Sequence, residues 1–216
     1  MKTVCIIQAR MGSKRLPGKV LMPLGDRPVL QHVVDRCKRS SADEVVLAIS
    51  SDSMGHPHMQ EFAKRAGVSI YYGPENDVLS RYYQVARLFS ADTVVRVTGD
   101  CPLIDWQTIN AVAALRRDEH ADYCANEPYI DGLGMECFTM DALRQAHEGD
   151  RTPYEREHVT PWMRANMPRQ AALFDYERPV NLSIDTPEDL ERVRQVMTDL
   201  GTDCRTPEIV EWIDRR

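Results

Sequence analysis

The feature that most constrains this chain is an alternation in its first half. Short β-branched apolar runs take turns with segments whose apolar residues recur at helical spacing. Thr3 to Ile7 (TVCII), Glu44 to Ile49 (EVVLAI), Val68 to Tyr72 and Thr93 to Val97 (TVVRV) read as strands, apolar enough to be covered on both faces. Between them, Val29 to Lys38 puts Leu30, Val33, Val34 and Cys37 on one stripe, and His58 to Ala66 is a helix stopped by Gly67. Val78 to Phe89 and Thr108 to Arg116 are two more helices. That order predicts an α/β fold with a mainly parallel sheet and helices on both faces. The second half is less regular. It offers a short strand near Glu136 to Phe138, a helix over Asp141 to His147, one helix over Tyr154 to Met167 and a last strand over Val180 to Ile184. Pro187 to Leu200 carries the strongest helix signals, with Thr186 as N-cap, Pro187 at the first position and Glu188 and Asp189 in the first turn. Nothing reads as a repeat or linker, and 216 residues suit one core, so residues 1–216 are expected to form a single domain.

In an open α/β sheet, ligands bind beyond the carboxyl ends of the strands. The first such place is the loop Gln8-Ala9-Arg10-Met11-Gly12-Ser13-Lys14-Arg15-Leu16-Pro17-Gly18-Lys19. It holds Arg10, Lys14, Arg15 and Lys19 and no acid, on a chain whose formal net charge is -6. A basic island on an acidic chain suits one small anion and argues against nucleic acid or an anionic membrane as partner. Gly12 and Gly18 permit tight turns that aim N–H groups at an anion. The spacing is that of neither a P-loop nor a dinucleotide glycine fingerprint. The bland alternative is a solvated basic loop.

Two acids sit at strand ends, Asp100 in TGDCP and Asp185 in SIDTP. Carboxylates facing a polyphosphate are how proteins hold Mg²⁺. Otherwise, Asp185 helps to cap the next helix and Asp100 is a turn acid. Six scattered cysteines lack zinc-ligand spacing. His56 and His58 near Asp52 read as a surface loop. Lys2 runs at once into an apolar core-strand pattern, and no apolar stretch nears the ~20 residues of a membrane span. The expectation is a cytoplasmic protein with reduced thiols.

The segment IIQARMGSKRLPGKVL resembles the opening motif of the sugar cytidylyltransferases, the family of CMP-Kdo and CMP-N-acylneuraminate synthetases, at Ala9, Arg10, Ser13, Arg15, Leu16, Pro17 and Lys19. RVTGDCPLID resembles the family's metal-aspartate segment. The stretches DGLGMECF, YEREHVTPWM and SIDTPEDL are similar to the spore-coat polysaccharide branch, the SpsF-type proteins. The resemblance spans roughly residues 3 to 200.

It implies a Rossmann-like α/β/α nucleotide-diphospho-sugar transferase fold. It also implies a reaction, attack of a sugar hydroxyl on the α-phosphorus of CTP with loss of pyrophosphate, using Mg²⁺ and serving surface or spore-coat polysaccharide synthesis. Ala9, Arg10, Gly12, Ser13, Arg15, Lys19, Arg81 and Asp100 would bind the nucleotide. Arg10, Lys19 and Asp100 would be catalytic, and Asp100 and Asp185 would bind the metal. Asn126, Asp131, Glu136, Arg156 and His158 are expected on the acceptor side, where such groups hydrogen-bond hydroxyls or meet an acid. His158 is a candidate base, or else part of a helix-start salt-bridge network. The branch usually has Asp where Gly134 stands, which bears on which acceptor is taken. A glycosyltransferase or other nucleotide-sugar-binding protein, and an inactive regulatory protein that only binds nucleotide, stay open beside this reading. A homodimer is possible, with the apolar run from Ile209 to Ile213 packing on a partner or closing its own core.

Overall fold

The structure is a computed structural model that describes residues 1–53, 57–127, 129–171 and 176–216. His56 lies outside the described residues. In chain order the elements are β1 (Thr3–Ala9), β2 (Pro23–Leu24), β3 (Arg27–Pro28), α1 (Val29–Lys38), β4 (Glu44–Ser50), α2 (Pro57–Ala66), β5 (Ser69–Gly73), α3 (Val78–Leu88), β6 (Thr93–Thr98) and α4 (Trp106–Asp118). They continue with β7 (Tyr123–Ala125), β8 (Glu136–Thr139), α5 (Met140–Glu148), α6 (Pro153–His158), α7 (Pro161–Asn166), β9 (Arg169–Ala171), α8 (Pro187–Leu200) and α9 (Thr206–Asp214).

One sheet has the order β5-β4-β1-β6-β8-β7-β9, and β2 pairs with β3 in a small hairpin. β5, β4, β1 and β6 are mutually parallel. β8 runs against both β6 and β7, and β9 is parallel to β7. The sheet is therefore mainly parallel, with β8 reversed. Alternation of side chains splits its core into two layers. Cys5, Ile7, Leu47, Ile49, Val95 and Val97 face α1, α2 and α4. Val4, Ile6, Val46, Ala48 and Val94 face α3, α5 and α7. Runs such as TVCII are apolar without a break because both faces are covered, giving the expected α/β/α layering.

The chain passes from β1 outward through β4 to β5, then crosses to β6 on the other side of β1. The strand order thus reverses between β1 and β6, and a crevice opens outside their carboxyl ends. A third apolar cluster roofs this end of the sheet. It joins Leu16 of the basic loop, Leu103, Leu182 and Ile184 to Val193 and Val196 of α8 and Ile209 and Val210 of α9. The apolar run at the C-terminus closes the chain's own core.

Two expectations for the second half give way. Tyr154 to Met167 forms two helices because Pro161 can donate no helical hydrogen bond, and the chain turns at Val159 with φ 71°. Val180 to Ile184 forms only an isolated bridge between Asn181 and Asp131. Its alternating apolar residues Leu182 and Ile184 are buried in the third cluster, so the period of two records burial without a strand partner.

Candidate active site

The loop after β1 is shaped by its own backbone. Gly18 N–H donates to Met11 O at 3.1 Å, which closes the loop on itself, and Gly18 takes φ 70°, in the left-handed region that favours glycine. Leu16 N–H donates to Ser13 Oγ at 3.3 Å, and the Leu16 side chain anchors the loop in the third cluster. Across the switch point, Gly99 N–H donates to Gln8 O at 2.8 Å. A Cβ on Gly99 would stand 2.9 Å from Ala9 Cβ and 3.1 Å from Gln8 O, so only glycine lets the β6 end come this close to β1. Asp100 follows at once. Asp185 arrives from far along the chain through one backbone bond, Ile184 N–H to Asp100 O at 2.9 Å. Helix α8 is capped without it, because Thr186 and Asp189 form the capping box, so the Asp185 carboxylate is left to face the crevice.

Lys19 Nζ joins the basic loop to both acids. It lies 2.6 Å from Asp100 Oδ2 and 2.9 Å from Asp185 Oδ1. Arg15 reaches the other Asp185 oxygen at 2.9 Å. Burial alone would pull the Lys19 ammonium down, but Asp100 and Asp185 together outweigh it and hold its pKa above that of an ordinary lysine. Three residues expected to act from opposite sides of a ligand thus meet directly.

A cleft of about 420 Å³ opens over this knot. Ala9, Arg10, Ser13, Arg15, Lys19, Arg81, Asp100, Asp185 and His158 line it, together with Lys14, Glu75 and Glu157. Gly12 stands beside it, where a Cβ would come within 2.8 Å of Asp52 Oδ2. Arg81 is 2% exposed, and its Nε and Nη1 make no hydrogen bond among the described residues. Burial, with Arg10 adding repulsion, pulls its pKa down from the ordinary arginine value. A buried guanidinium without a bonded acid is costly, and it suits an anion that arrives from outside.

The expected acceptor residues divide. His158 reaches the cleft, its ring tilted against Tyr154 with centroids 4.4 Å apart. The other four do not line it. Asn126 is buried as a backbone clasp, donating to Leu133 O at 3.0 Å and accepting from Met135 N–H at 2.7 Å. Asp131 serves through its carbonyl, which accepts from Leu182 N–H at 2.7 Å. Arg156 pairs with Asp77, the N-cap of α3, at 3.1 Å. Glu136 is 2% exposed and saturated. Its carboxylate accepts from Arg96 Nη1 at 2.7 Å, Tyr123 Oη at 2.5 Å, Thr160 Oγ1 at 2.8 Å, and Arg164 Nε and Nη2 at 2.9 and 2.7 Å. Amide and carboxylate groups that suit sugar hydroxyls suit internal hydrogen bonding equally well, and here Asn126 and Glu136 spend theirs inside the protein. At Gly134 a Cβ would stand 2.4 Å from the Tyr129 ring, so the aspartate of the related branch has no room unless Tyr129 moves.

Glu75 and Glu157 are cleft residues not named singly from the sequence, although Glu75 falls in the loop from Gly73 to Ser80 that the resemblance implies lines the nucleotide and Glu157 in the segment from Arg151 to Thr160 expected on the acceptor side. Glu75 follows the carboxyl end of β5, and the rule that singled out Asp100 would have found it. Glu157 sits one residue before His158 in α6, and no pattern in the sequence singles it out.

A sequence model of the family described as Cytidylyltransferase matches residues 4–207. The chain is similar to the spore coat polysaccharide biosynthesis protein SpsF of Bacillus subtilis, with 29% identity over 97% of this chain and 93% of that protein. It is also similar to the solved structure of a cytidylyltransferase from Leptospira borgpetersenii, with a TM-score of 0.91, 32% identity, and coverage of 100% of this chain and 94% of that one. A CMP:2-keto-3-deoxy-manno-octonic acid synthetase solved with CTP has the same fold, at a TM-score of 0.72 and 21% identity over 92% of this chain and 99% of that one. Among the described residues, no helix is long and apolar enough to cross a membrane.

Proposed function

This chain belongs to the cytidylyltransferase family, and from that premise we propose that it transfers a cytidylyl group from CTP to a hydroxyl of a sugar, with release of pyrophosphate. The observation that carries the reading is the meeting of Lys19 with Asp100 and Asp185 at the strand-order switch, under a cleft with Arg10, Lys14, Arg15 and Arg81 on its walls. Transfer of a nucleotidyl group needs charge neutralisation and in-line placement more than a covalent nucleophile. Arg10, Lys14 and Arg15 neutralise triphosphate oxygens, and the charge of Arg81, which also lines the cleft, supports the same anion. Ser13 holds the turn of the loop through Leu16 N–H. His158 and Glu157 line the same cleft, which supports a role for either in holding or receiving the proton of the attacking hydroxyl.

The donor set fits Mg²⁺. Two hard carboxylates converge on a single point, and Mg²⁺ is usually bound by one or two carboxylates together with substrate phosphates and water. Asp100 and Asp185 would hold it. When bound, the ion would screen the phosphate charge that builds on the departing pyrophosphate. The similarity to SpsF supports an acceptor drawn from surface or spore-coat polysaccharide synthesis. All six cysteines are free thiols, which supports work in the cytoplasm.

The test is pyrophosphate release from CTP with Mg²⁺ across a panel of acidic and amino sugars. The expected result is release that depends on one sugar and on Asp100. A nucleotide-sugar consumed without pyrophosphate would instead mark a glycosyltransferase.

A further inference from the structure

Lys19 occupies the place where a metal would be expected. Its ammonium touches one oxygen of each aspartate, at 2.6 and 2.9 Å, and the residue is 6% exposed. Arg15 holds the second Asp185 oxygen at 2.9 Å, and among the described residues the second Asp100 oxygen accepts from the Cys101 thiol at 3.6 Å. Two negative charges therefore face two positive ones, and the pair is balanced without a divalent ion. Around this point the described residues offer no group of three or more His, Cys, Asp or Glu side chains that could hold a metal.

We propose that Lys19 is the resident counter-ion of the Asp100–Asp185 pair, so that the free protein is closed to divalent cations and the cleft takes its metal only together with a triphosphate. The inference rests on the nucleotidyl-transfer reading and names its true substrate as the metal–triphosphate complex. The reasons are steric and electrostatic. A divalent ion cannot share the point that both carboxylates address with an ammonium, because like charges at contact repel in a half-buried site. Two protein oxygens, with water, hold an ion that prefers about six ligands only weakly, so a neighbouring ammonium is enough to keep it out. A triphosphate removes both obstacles at once. Its oxygens accept the ammonium, and they complete the ligand set of the ion.

The geometry allows the exchange. The Lys19 backbone is fixed at the head of a short 3₁₀ turn, with its N–H donating to Leu16 O at 3.2 Å. The four-carbon stem beyond that fixed point is flexible and can redirect the charge toward phosphate.

The experiment follows Mn²⁺, the spectroscopic stand-in for Mg²⁺, by electron paramagnetic resonance on the full chain without nucleotide. Wild type and Lys19→Arg should leave Mn²⁺ free, whereas Lys19→Met should bind it at least about tenfold more tightly. Adding Asp100→Asn to Lys19→Met should abolish that binding. Wild type that binds Mn²⁺ without nucleotide as well as Lys19→Met does would overturn the inference. Should Lys19→Met fail to fold, the wild-type titration decides alone, because an Asp100-dependent Mn²⁺ site in the free wild type contradicts the proposal. Unfolding midpoints measured with CTP, with and without Mn²⁺, separate the two claims. A wild type indifferent to CTP under both conditions removes the nucleotidyl-transfer reading, while the Mn²⁺ comparison still reports on Lys19.

Discussion

Replacing Glu136 by glutamine should destabilise the protein far more than the loss of one surface acid would. The carboxylate lies between β8 and the α6–α7 corner and receives donors from four residues: Arg96, Tyr123, Thr160 and Arg164. Glutamine keeps the shape but turns one oxygen into a donor. In its less damaging orientation, the new NH₂ faces Arg96 Nη1 and leaves that guanidinium without its carboxylate, while Arg164 keeps Glu127 at 3.2 Å. Breaking a buried ion pair from one side costs about 3–5 kcal/mol. For a chain of this size, each kcal/mol lowers Tm by about 2–4 °C, so the expected fall is roughly 6–20 °C.

The same carboxylate should give the protein an acid-sensitive stability. Burial works to raise the Glu136 pKa, but Arg96 and Arg164, with bonds from Tyr123 and Arg164, outweigh it and hold it below the ordinary glutamate value. A depressed folded pKa contributes stability that is full above the unfolded pKa of about 4.3 and is lost as the pH falls through the folded value. The advantage of wild type over Glu136→Gln should therefore be constant near neutrality and shrink below about pH 4.3. Thermal and urea unfolding across pH read both effects. A Tm drop under about 2 °C would refute the claim that this network holds the α6–α7 corner.

Other expectations concern the cleft. Arg81→Met should weaken nucleotide binding by roughly 10- to 150-fold, the value of a charge-assisted hydrogen bond of about 1.5–3 kcal/mol. It should not lower Tm, because among the described residues the buried guanidinium makes no ion pair that would be lost; calorimetry and thermal unfolding check the two halves. Asp100→Asn should remove metal-dependent pyrophosphate release and leave the circular dichroism unchanged; retained turnover would take Asp100 out of the chemistry. Gly132→Ala should cost about 3 kcal/mol in urea unfolding. Gly132 has φ 92°, and an added Cβ would meet the Leu182 carbonyl carbon at 2.3 Å, on the segment that delivers Asp185.

Much of the fold was legible because burial leaves a period. Strands β1, β4, β5 and β6 and the helices between them follow from runs covered on both faces or from single apolar stripes. The side of the cleft that the basic loop lines was legible for a related reason. In a parallel sheet the place just after a strand is also the place beside the crevice, so the basic loop and Asp100 could be placed there from order, while their roles come from the resemblance. Asp185 was found through a strand that does not form, and its position depends on one backbone bond to Asp100. Most of the residues expected on an acceptor side were not legible. Asn126 and Glu136 carry groups that bind sugars and clasp loops equally well, and only coordinates show that their bonds are spent inside the protein. His158, named from the sequence, does line the cleft, whereas Glu157 beside it was not named singly.

The central claim, that the basic loop and the aspartate pair form a site for CTP, is tested most directly by thermal unfolding of the purified chain. CTP, UTP, GTP and ATP would each be added with and without Mg²⁺. A ligand bound only by the folded state raises the midpoint according to its affinity, by about 2.7 kcal/mol of stability at a hundredfold excess over Kd. CTP with Mg²⁺ should raise it well above the other three, and Asp100→Asn should erase the dependence on Mg²⁺. No rise with any triphosphate would contradict the claim.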